Sequence, residues 1–244
     1  MKTNTDISVV VPLFNERESL QELYERLRKV LDDMGRNWEV VFVDDGSTDG
    51  SFHELEVLHR KDPRVRAFRF RRNCGKAAAL DLGFREARGD IVVTMDADLQ
   101  DLPEEVPKLV KKLEEGYDLI SGWKRRRRDP LSKRLPSKVF NWITSRLMGV
   151  PLHDINCGLK AYRSEVVQDL RVYGHLHRFL PVLASRQGYR VGEVEVMHHP
   201  RRYGRSKYGL GRFVHGLLDL MTVLMLTRYL TRPLHLFGGV GLAF

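Results

Sequence analysis

The sequence predicts an α/β fold: a mostly parallel, twisted sheet flanked by helices. Three observations predict it. Short, continuously apolar runs have the character of strands buried on both faces. Amphipathic stretches of helical spacing lie between them. The two alternate without interruption as far as Trp123, which implies right-handed βαβ crossovers.

ISVVVPL (7–13) is the first strand. Asn15 and Glu18 have capping-box spacing, and Leu20, Leu23, Leu27, Val30, Leu31 and Met34 follow at helical intervals. WEVVFVDD (38–45) is a second strand. Ser47 or Thr48 is expected to cap the next helix, which carries Phe52, Leu55 and Leu58. VRAFRF (65–70) alternates, as a less buried strand would. GKAAALDLGFREA (75–87) is Ala-rich and helical. DIVVTMDAD (90–98) is a fourth strand, Pro103 opens a helix with Asp101 as its expected cap, and YDLISGW (117–123) is a fifth strand.

The second half is less regular. KRRRR (124–128) is a basic run, and residues 132–149 form an amphipathic segment with Val139, Trp142, Ile143 and Leu147 on one side. VGEVEVMHH (191–199) alternates like a strand, and HPRRYGRSKYG (199–209) is a basic loop. LLDLMTVLMLTRYL (217–230) is apolar but carries Asp219 and Arg228. The apolar end PLHLFGGVGLAF (233–244) is too short for a bilayer, which needs roughly 20 residues. It reads as the start of a truncated transmembrane segment, with a final buried strand or helix as the alternative. The N-terminus shows no signal-peptide pattern.

The 244 residues include 41 Lys and Arg against 32 Asp and Glu, a net charge of +9. That balance favours an anionic partner: nucleic acid, a phosphorylated substrate or an acidic membrane. No zinc knuckle, RNP-like aromatic motif or helix-turn-helix pattern supports nucleic acid. Two cysteines, Cys74 and Cys157, provide neither a disulfide framework nor metal-ligand spacing.

Within this basic chain, MDADLQD (95–101) concentrates acids where a strand ends. Ligands of parallel sheets collect beyond the carboxyl ends of strands, so Asp44, Asp45, Asp96 and Asp98 should face one crevice. Asp96 and Asp98 on one turn suit a hard divalent cation, Mg²⁺ or Mn²⁺, that bridges them to a diphosphate, with Gln100 as a neutral oxygen ligand. In VDDGSTDG, Asp44 and Asp45 could accept hydrogen bonds from a base or ribose, or form an Asx-type turn, or both. Lys76 sits in the first turn of its helix, a poor place for a cation unless an anion binds there too. The Walker A spacing is absent.

Taken in order, VVVPLFNE, VDDGSTD, NCGKAAAL, DADLQD and HDINCGLKAYRS resemble the family 2 glycosyltransferases of GT-A fold. RRYGRSKYG followed by RPLHLFGGVGL is similar to the polyprenyl-phosphate group within them, the dolichyl-phosphate mannose synthases and undecaprenyl-phosphate hexosyltransferases. The resemblance implies a GT-A catalytic domain over 1–208, an amphipathic juxtamembrane helix over 209–232 lying at the membrane interface, and the membrane segment from 233. It implies donor contacts from Pro12, Asn15, Glu16, Asp44, Ser47, Lys76 and Asp96, and metal contacts from Asp96, Asp98 and Gln100. It places the acceptor phosphate near Lys124, Lys133, Arg134 and Ser137, and a closing loop at Arg202, Ser206 and Lys207. Lys124 departs from the pattern, which has Arg there; Lys keeps the charge but loses the bidentate fork.

The activity implied is hexose transfer from a UDP- or GDP-linked sugar to a polyprenyl phosphate, with inversion, by a membrane-associated enzyme whose catalytic domain is cytoplasmic. Asp154 matches a family acid near the acceptor and could act as a base, a loop brace or an ion-pair partner. A lipid phosphate needs no base, which favours bracing. The alternatives are transfer to a saccharide hydroxyl, a sugar nucleotidyltransferase, whose Gly-rich phosphate loop is absent, and a non-enzymatic anionic-membrane adaptor. A homo-oligomer stays open.

Overall fold

A computed structural model describes residues 5–125, 141, 144–174, 176–199 and 212–226. Seven strands form one sheet: β1 (Ile7–Leu13), β2 (Trp38–Asp44), β3 (Val65–Arg69), β4 (Ile91–Thr94), β5 (Leu119–Trp123), β6 (Lys160–Arg163) and β7 (Val191–Glu195). Their order is β3-β2-β1-β4-β6-β5-β7. Helices α1 (Arg17–Asp33), α2 (Ser51–Lys61), α3 (Lys76–Glu86) and α4 (Val106–Glu114) alternate with the first five strands. This is a GT-A-like α/β fold with a mostly parallel sheet.

Alternate residues of the central strands feed two cores. Val9, Val11, Val40, Phe42, Ile91 and Val93 pack with α1, α2 and α4 on one face. Val10, Val41, Val43 and Val92 pack with α3 and with Val166, Val167, Leu180 and Ala184 on the other. Burial on both faces explains the unbroken apolar runs. A third cluster joins Met148, Ile155, Phe179 and Val182 to Leu220 and Val223 of the helix Arg212–Leu224.

The sheet departs from the sequence reading at β6, which the reading lacks. β6 pairs antiparallel with both β4 and β5. Its four residues, KAYR, begin and end with a cation and carry no apolar run. β4 also stops at Thr94, so Met95–Asp98 lie beyond the ladder instead of within a strand reaching 98. The strand expected over 191–199 ends at Glu195, followed by an isolated bridge from His198 to Asp101.

Three expected caps are not caps. α1 starts at Arg17 without a side-chain cap, because the Asn15 Oδ1 accepts from the Thr48 amide instead (2.8 Å). α2 starts at Ser51, after Gly50 in the left-handed region (φ 90°), and the Asp49 carboxylate, not Ser47 or Thr48, accepts the Ser51 amide (2.9 Å). Asp101 is buried against Lys124, and Pro103 opens one 3₁₀ turn that runs into α4. Of the segment 132–149, residue 141 and residues 144–148 are helical. Lys133, Arg134, Ser137, Trp142, Arg202, Ser206, Lys207 and the segment 233–244 lie outside the described residues. Among those described, no helix is long and apolar enough to cross a membrane.

Candidate active site

The carboxyl ends of β1, β2 and β4 converge. Leu13 pairs with Asp44 and Val10 with Thr94, so Asn15, Asp45 and Asp96 leave the sheet at one edge. Asp44 is fully buried. Its Oδ1 accepts the Ser47 amide (2.8 Å), and its Oδ2 faces Arg69 Nε at 3.5 Å. Ser47 Oγ accepts the Asn15 amide (2.8 Å), so the turns after β1 and β2 hold each other. Asn15 bends with φ 55° to do this. Gly46 has φ 76°, and a Cβ there would sit 2.6 Å from the Arg72 carbonyl carbon. Asp45 receives the amides of Cys74 (2.6 Å) and Gly75 (2.9 Å), fixing the entry to α3. Burial raises the Asp45 pKa, the two amides pull it back, and Asp44 adds to the rise. Pro12 and Glu16 flank this knot; the Glu16 amide donates to Ser51 Oγ (3.1 Å).

Lys76, first residue of α3, forms an ion pair with Asp96 Oδ1. The reading of Lys76 as an anion contact and of Asp96 as a strand-end acid thus falls on one spot. Asp98 is buried, and its Oδ1 accepts the Gln100 amide at 3.2 Å. Among the described residues no three His, Cys, Asp or Glu side chains form a ready-made metal centre. Two carboxylates and an amide on one turn instead fit a hard cation that completes its shell with substrate phosphate.

Sequence reasoning overlooked Gly158. A Cβ at this residue would lie 2.8 Å from Asp96 Oδ2 and 3.0 Å from Asp101 Oδ2. The HDINCG segment thus lies directly against the acidic turn, and glycine is what permits it.

Behind the turn, Asp101 is 1% exposed and meets Lys124 Nζ at 2.6 Å, with His198 Nδ1 at 3.8 Å. Burial alone would raise the Asp101 pKa, but Lys124 and His198 hold it well below the usual range. Burial alone would lower that of Lys124, but Asp101 holds it above its ordinary value. Lys124, expected on the acceptor side, is here engaged with Asp101. The His199 amide donates to the Gln100 carbonyl (3.0 Å), a second tie between this turn and the segment after β7.

A cavity of about 130 Å³ opens beside Asp96, between Lys76, Thr94, Asn156, Lys160, His177 and Arg178. Lys160 and Cys157 are buried in its wall, and the Lys160 ammonium donates to the Cys157 carbonyl. Burial pulls the Lys160 pKa down, with Lys76 adding to the effect, and raises that of Cys157 to about 12. Lys160 lies within HDINCGLKAYRS but was given no role there, and His177 and Arg178 belong to none of the motifs.

Asp154 is buried, and its carbonyl faces Ser121 Oγ at 3.4 Å. Its neighbour His153 stacks on Trp123 (centroids 4.2 Å apart) and pairs with Glu193, and Asn141 Nδ2 donates to the His153 carbonyl (3.1 Å). The segment carrying Asp154 is braced from three directions.

A GT-A-like sheet carries paired acids beyond β4, and residues 8–171 match the model of glycosyl transferase family 2. The chain belongs to that family and is a glycosyltransferase. Its relatives are polyprenyl-phosphate glycosyltransferases. It is 39% identical over 242 residues to dodecaprenyl-phosphate galacturonate synthase of Rhizobium johnstonii, covering 97% of this chain and 72% of the relative. It is 40% identical over 248 residues to undecaprenyl-phosphate 4-deoxy-4-formamido-L-arabinose transferase of Edwardsiella ictaluri, covering 100% of this chain and 76% of that one. Glucosyl-3-phosphoglycerate synthase of Mycobacterium tuberculosis, solved with Mn²⁺ and UDP-glucose, shares the fold. The TM-score is 0.67 at 22% identity, covering 91% of this chain and 78% of that one.

Proposed function

We propose that this glycosyltransferase moves a hexose from a nucleotide diphosphate sugar to a polyprenyl phosphate at a membrane surface, with inversion and with Mg²⁺ or Mn²⁺. The observation that carries the proposal is the Asp96–Asp98 turn beyond β4, facing Lys76 at the start of α3. Two curated relatives named for polyprenyl-phosphate transfer support the acceptor. The Mn²⁺ and UDP-glucose bound by the mycobacterial enzyme support the donor and the cation.

In this reading Pro12, Asn15, Glu16, Asp44 and Ser47 hold the nucleoside, with Asp44 and Ser47 preset by their mutual hydrogen bond. Asp96, Asp98 and Gln100 would hold the cation, which supplies positive charge to the departing diphosphate. Lys76 adds its ammonium at the same place, where the helix N-terminus also favours negative charge. The acceptor monophosphate has a second pKa near ~6 and is largely dianionic at neutral pH. It attacks without a general base and needs only cations to place it; Lys133, Arg134, Ser137, Arg202, Ser206 and Lys207 are assigned that work. Lys124 serves the same side from its position on Asp101. Asp154 orients the loop beside the acceptor. Attack opposite the departing diphosphate inverts the anomeric carbon.

The membrane contact falls to the helix Arg212–Leu224. Leu220 and Val223 are buried while Leu218 and Met221 are 58% and 55% exposed, so its outer side offers apolar surface to lipid. The test is transfer from UDP- and GDP-sugars to a short polyprenyl phosphate or to an oligosaccharide, with and without chelator, reading product anomery by NMR. Cation-dependent, inverted product on the lipid is expected. Transfer to the oligosaccharide alone would remove the reading.

A further inference from the structure

Lys160 is a lysine with no obvious reason to be where it is. It opens the reversed strand β6, is 3% exposed, and donates to one neutral oxygen, the Cys157 carbonyl. Among the described residues no carboxylate forms an ion pair with it. An ammonium has three donors, and the bond to Cys157 takes one of them, while Asp154 and Asp96 act on the charge from further away. Such a group in a cavity wall is a candidate for binding an anion.

The cavity continues the pattern. Lys76, Lys160, His177 and Arg178 line it, and Asp96 is the one acid among the described lining residues. Asp96 is already engaged by Lys76. Arg178 has Asp219 at 3.7 Å, a loose pairing from outside the cavity. The described lining therefore holds three Lys and Arg side chains against one carboxylate.

We propose that Lys160, with His177 and Arg178, selects a donor whose sugar carries a carboxylate. The inference rests on the donor reading above. Asp96 lines the cavity itself, so a diphosphate held at Asp96 directs the group next to it, the sugar, into this space. A neutral hexose offers Lys160 only hydroxyls. A hexuronate offers a carboxylate, and charge-assisted hydrogen bonds are roughly twice as strong as neutral ones. Lys160 is thus a specificity residue that touches the sugar rather than the leaving diphosphate.

The experiment is calorimetric binding, with Mn²⁺ present, of UDP-galacturonate, UDP-galactose and UDP, repeated with GDP-mannuronate and GDP-mannose. Each is measured on the natural chain, Lys160→Gln and Lys160→Arg. The uronate should bind roughly tenfold or more tighter than its neutral partner, a difference of about 1.4 kcal/mol. Lys160→Gln should bring that ratio to about one, and Lys160→Arg should keep most of it. Equal affinity for uronate and hexose in the natural chain, which needs no variant to fold, overturns this inference and leaves the donor reading standing. Failure to bind any nucleotide or nucleotide sugar overturns the donor reading itself. An unaltered ratio in Lys160→Gln, with a raised KM for polyprenyl phosphate instead, assigns the cation to the acceptor phosphate and also overturns the inference.

Discussion

Asp101 and Lys124 meet at 2.6 Å with 1% and 12% of their side chains exposed, joining the acidic turn after β4 to the end of β5. Neither has water to fall back on, so each makes the other's burial tolerable. Lys124→Met should leave Asp101 charged with only the more distant His198 beside it, at a cost of about 3–5 kcal/mol. Lys124→Met combined with Asp101→Leu should recover much of it. Urea unfolding of the single and double variants measures both; additive losses would show that the pair is not coupled.

Asp98→Asn should remove cation-dependent donor turnover, by about a hundredfold or more in kcat/KM. The side chain is buried and accepts the nearby Gln100 amide, a bond that the Asn Oδ1 can still accept. The melting temperature without ligands should therefore move little, while the stabilisation by nucleotide sugar plus Mn²⁺ should disappear. Thermal shift with and without those ligands reads both.

Gly158→Ala should disable the enzyme without unfolding it. The added methyl would fall within 2.8 Å of Asp96 Oδ2 and 3.0 Å of Asp101 Oδ2. Both carboxylates must shift, and misplacement of about 1 Å can cost on the order of a hundredfold in rate. Circular dichroism should be unchanged while kcat/KM falls. Full activity would mean that the turn can move freely.

Away from the site, Asp62 accepts Tyr24 Oη (2.7 Å) and Arg64 Nη2 (2.8 Å). Burial alone would raise its pKa, but the bonds from Arg64 dominate and lower it to about 2. A folded pKa below the unfolded value of ~4 gives stability that is full above pH ~4. It is lost as pH falls from there through about 2. Asp62→Asn should cost roughly 1–2 kcal/mol at neutral pH, after discounting for solvent screening, and flatten that part of the acid limb. Unfolding free energies at pH 3 and pH 7 test the sign.

The two thiols should separate cleanly. Cys74 is exposed, whereas Cys157 is buried, and its pKa is raised to about 12 by that burial. Maleimide should modify one cysteine in the native protein and two after denaturation. The Cys74 amide binds Asp45 next to the nucleoside side of the site, so donor should slow its labelling. Equal reactivity of both would contradict the packing around Cys157.

β1, β2, β4 and β5 were legible because burial on both faces leaves unbroken apolar runs, and Val9 to Val11 or Val40 to Val43 need no context to be read; the half-buried β3 was legible by its alternation. Helix starts were not, because Asn15 and Ser47 use their side chains to tie two loops together, and Asp49 accepts from both Arg17 of α1 and Ser51 of α2. The acidic pair was legible as a strand-end cluster. Lys160 was not: its four-residue strand has no periodicity, and only antiparallel pairing with β4 brings it beside Thr94. Gly158 matters solely through what it lets approach, a relation between segments distant in the chain.

β6 enters the sheet from the edge where its neighbours leave, and this has an evolutionary consequence. The chain leaves β5 at Trp123 and returns in the neighbouring β6 at Lys160, with Cys157 and Leu159 packed into the main core. Both anchor points are clamped by hydrogen-bonded ladders. Changes in this connection leave the strand register intact as long as Lys124 still reaches Asp101 and Gly158 still lies against Asp96. The connection can thus diverge in sequence while the sheet remains an unaltered chassis.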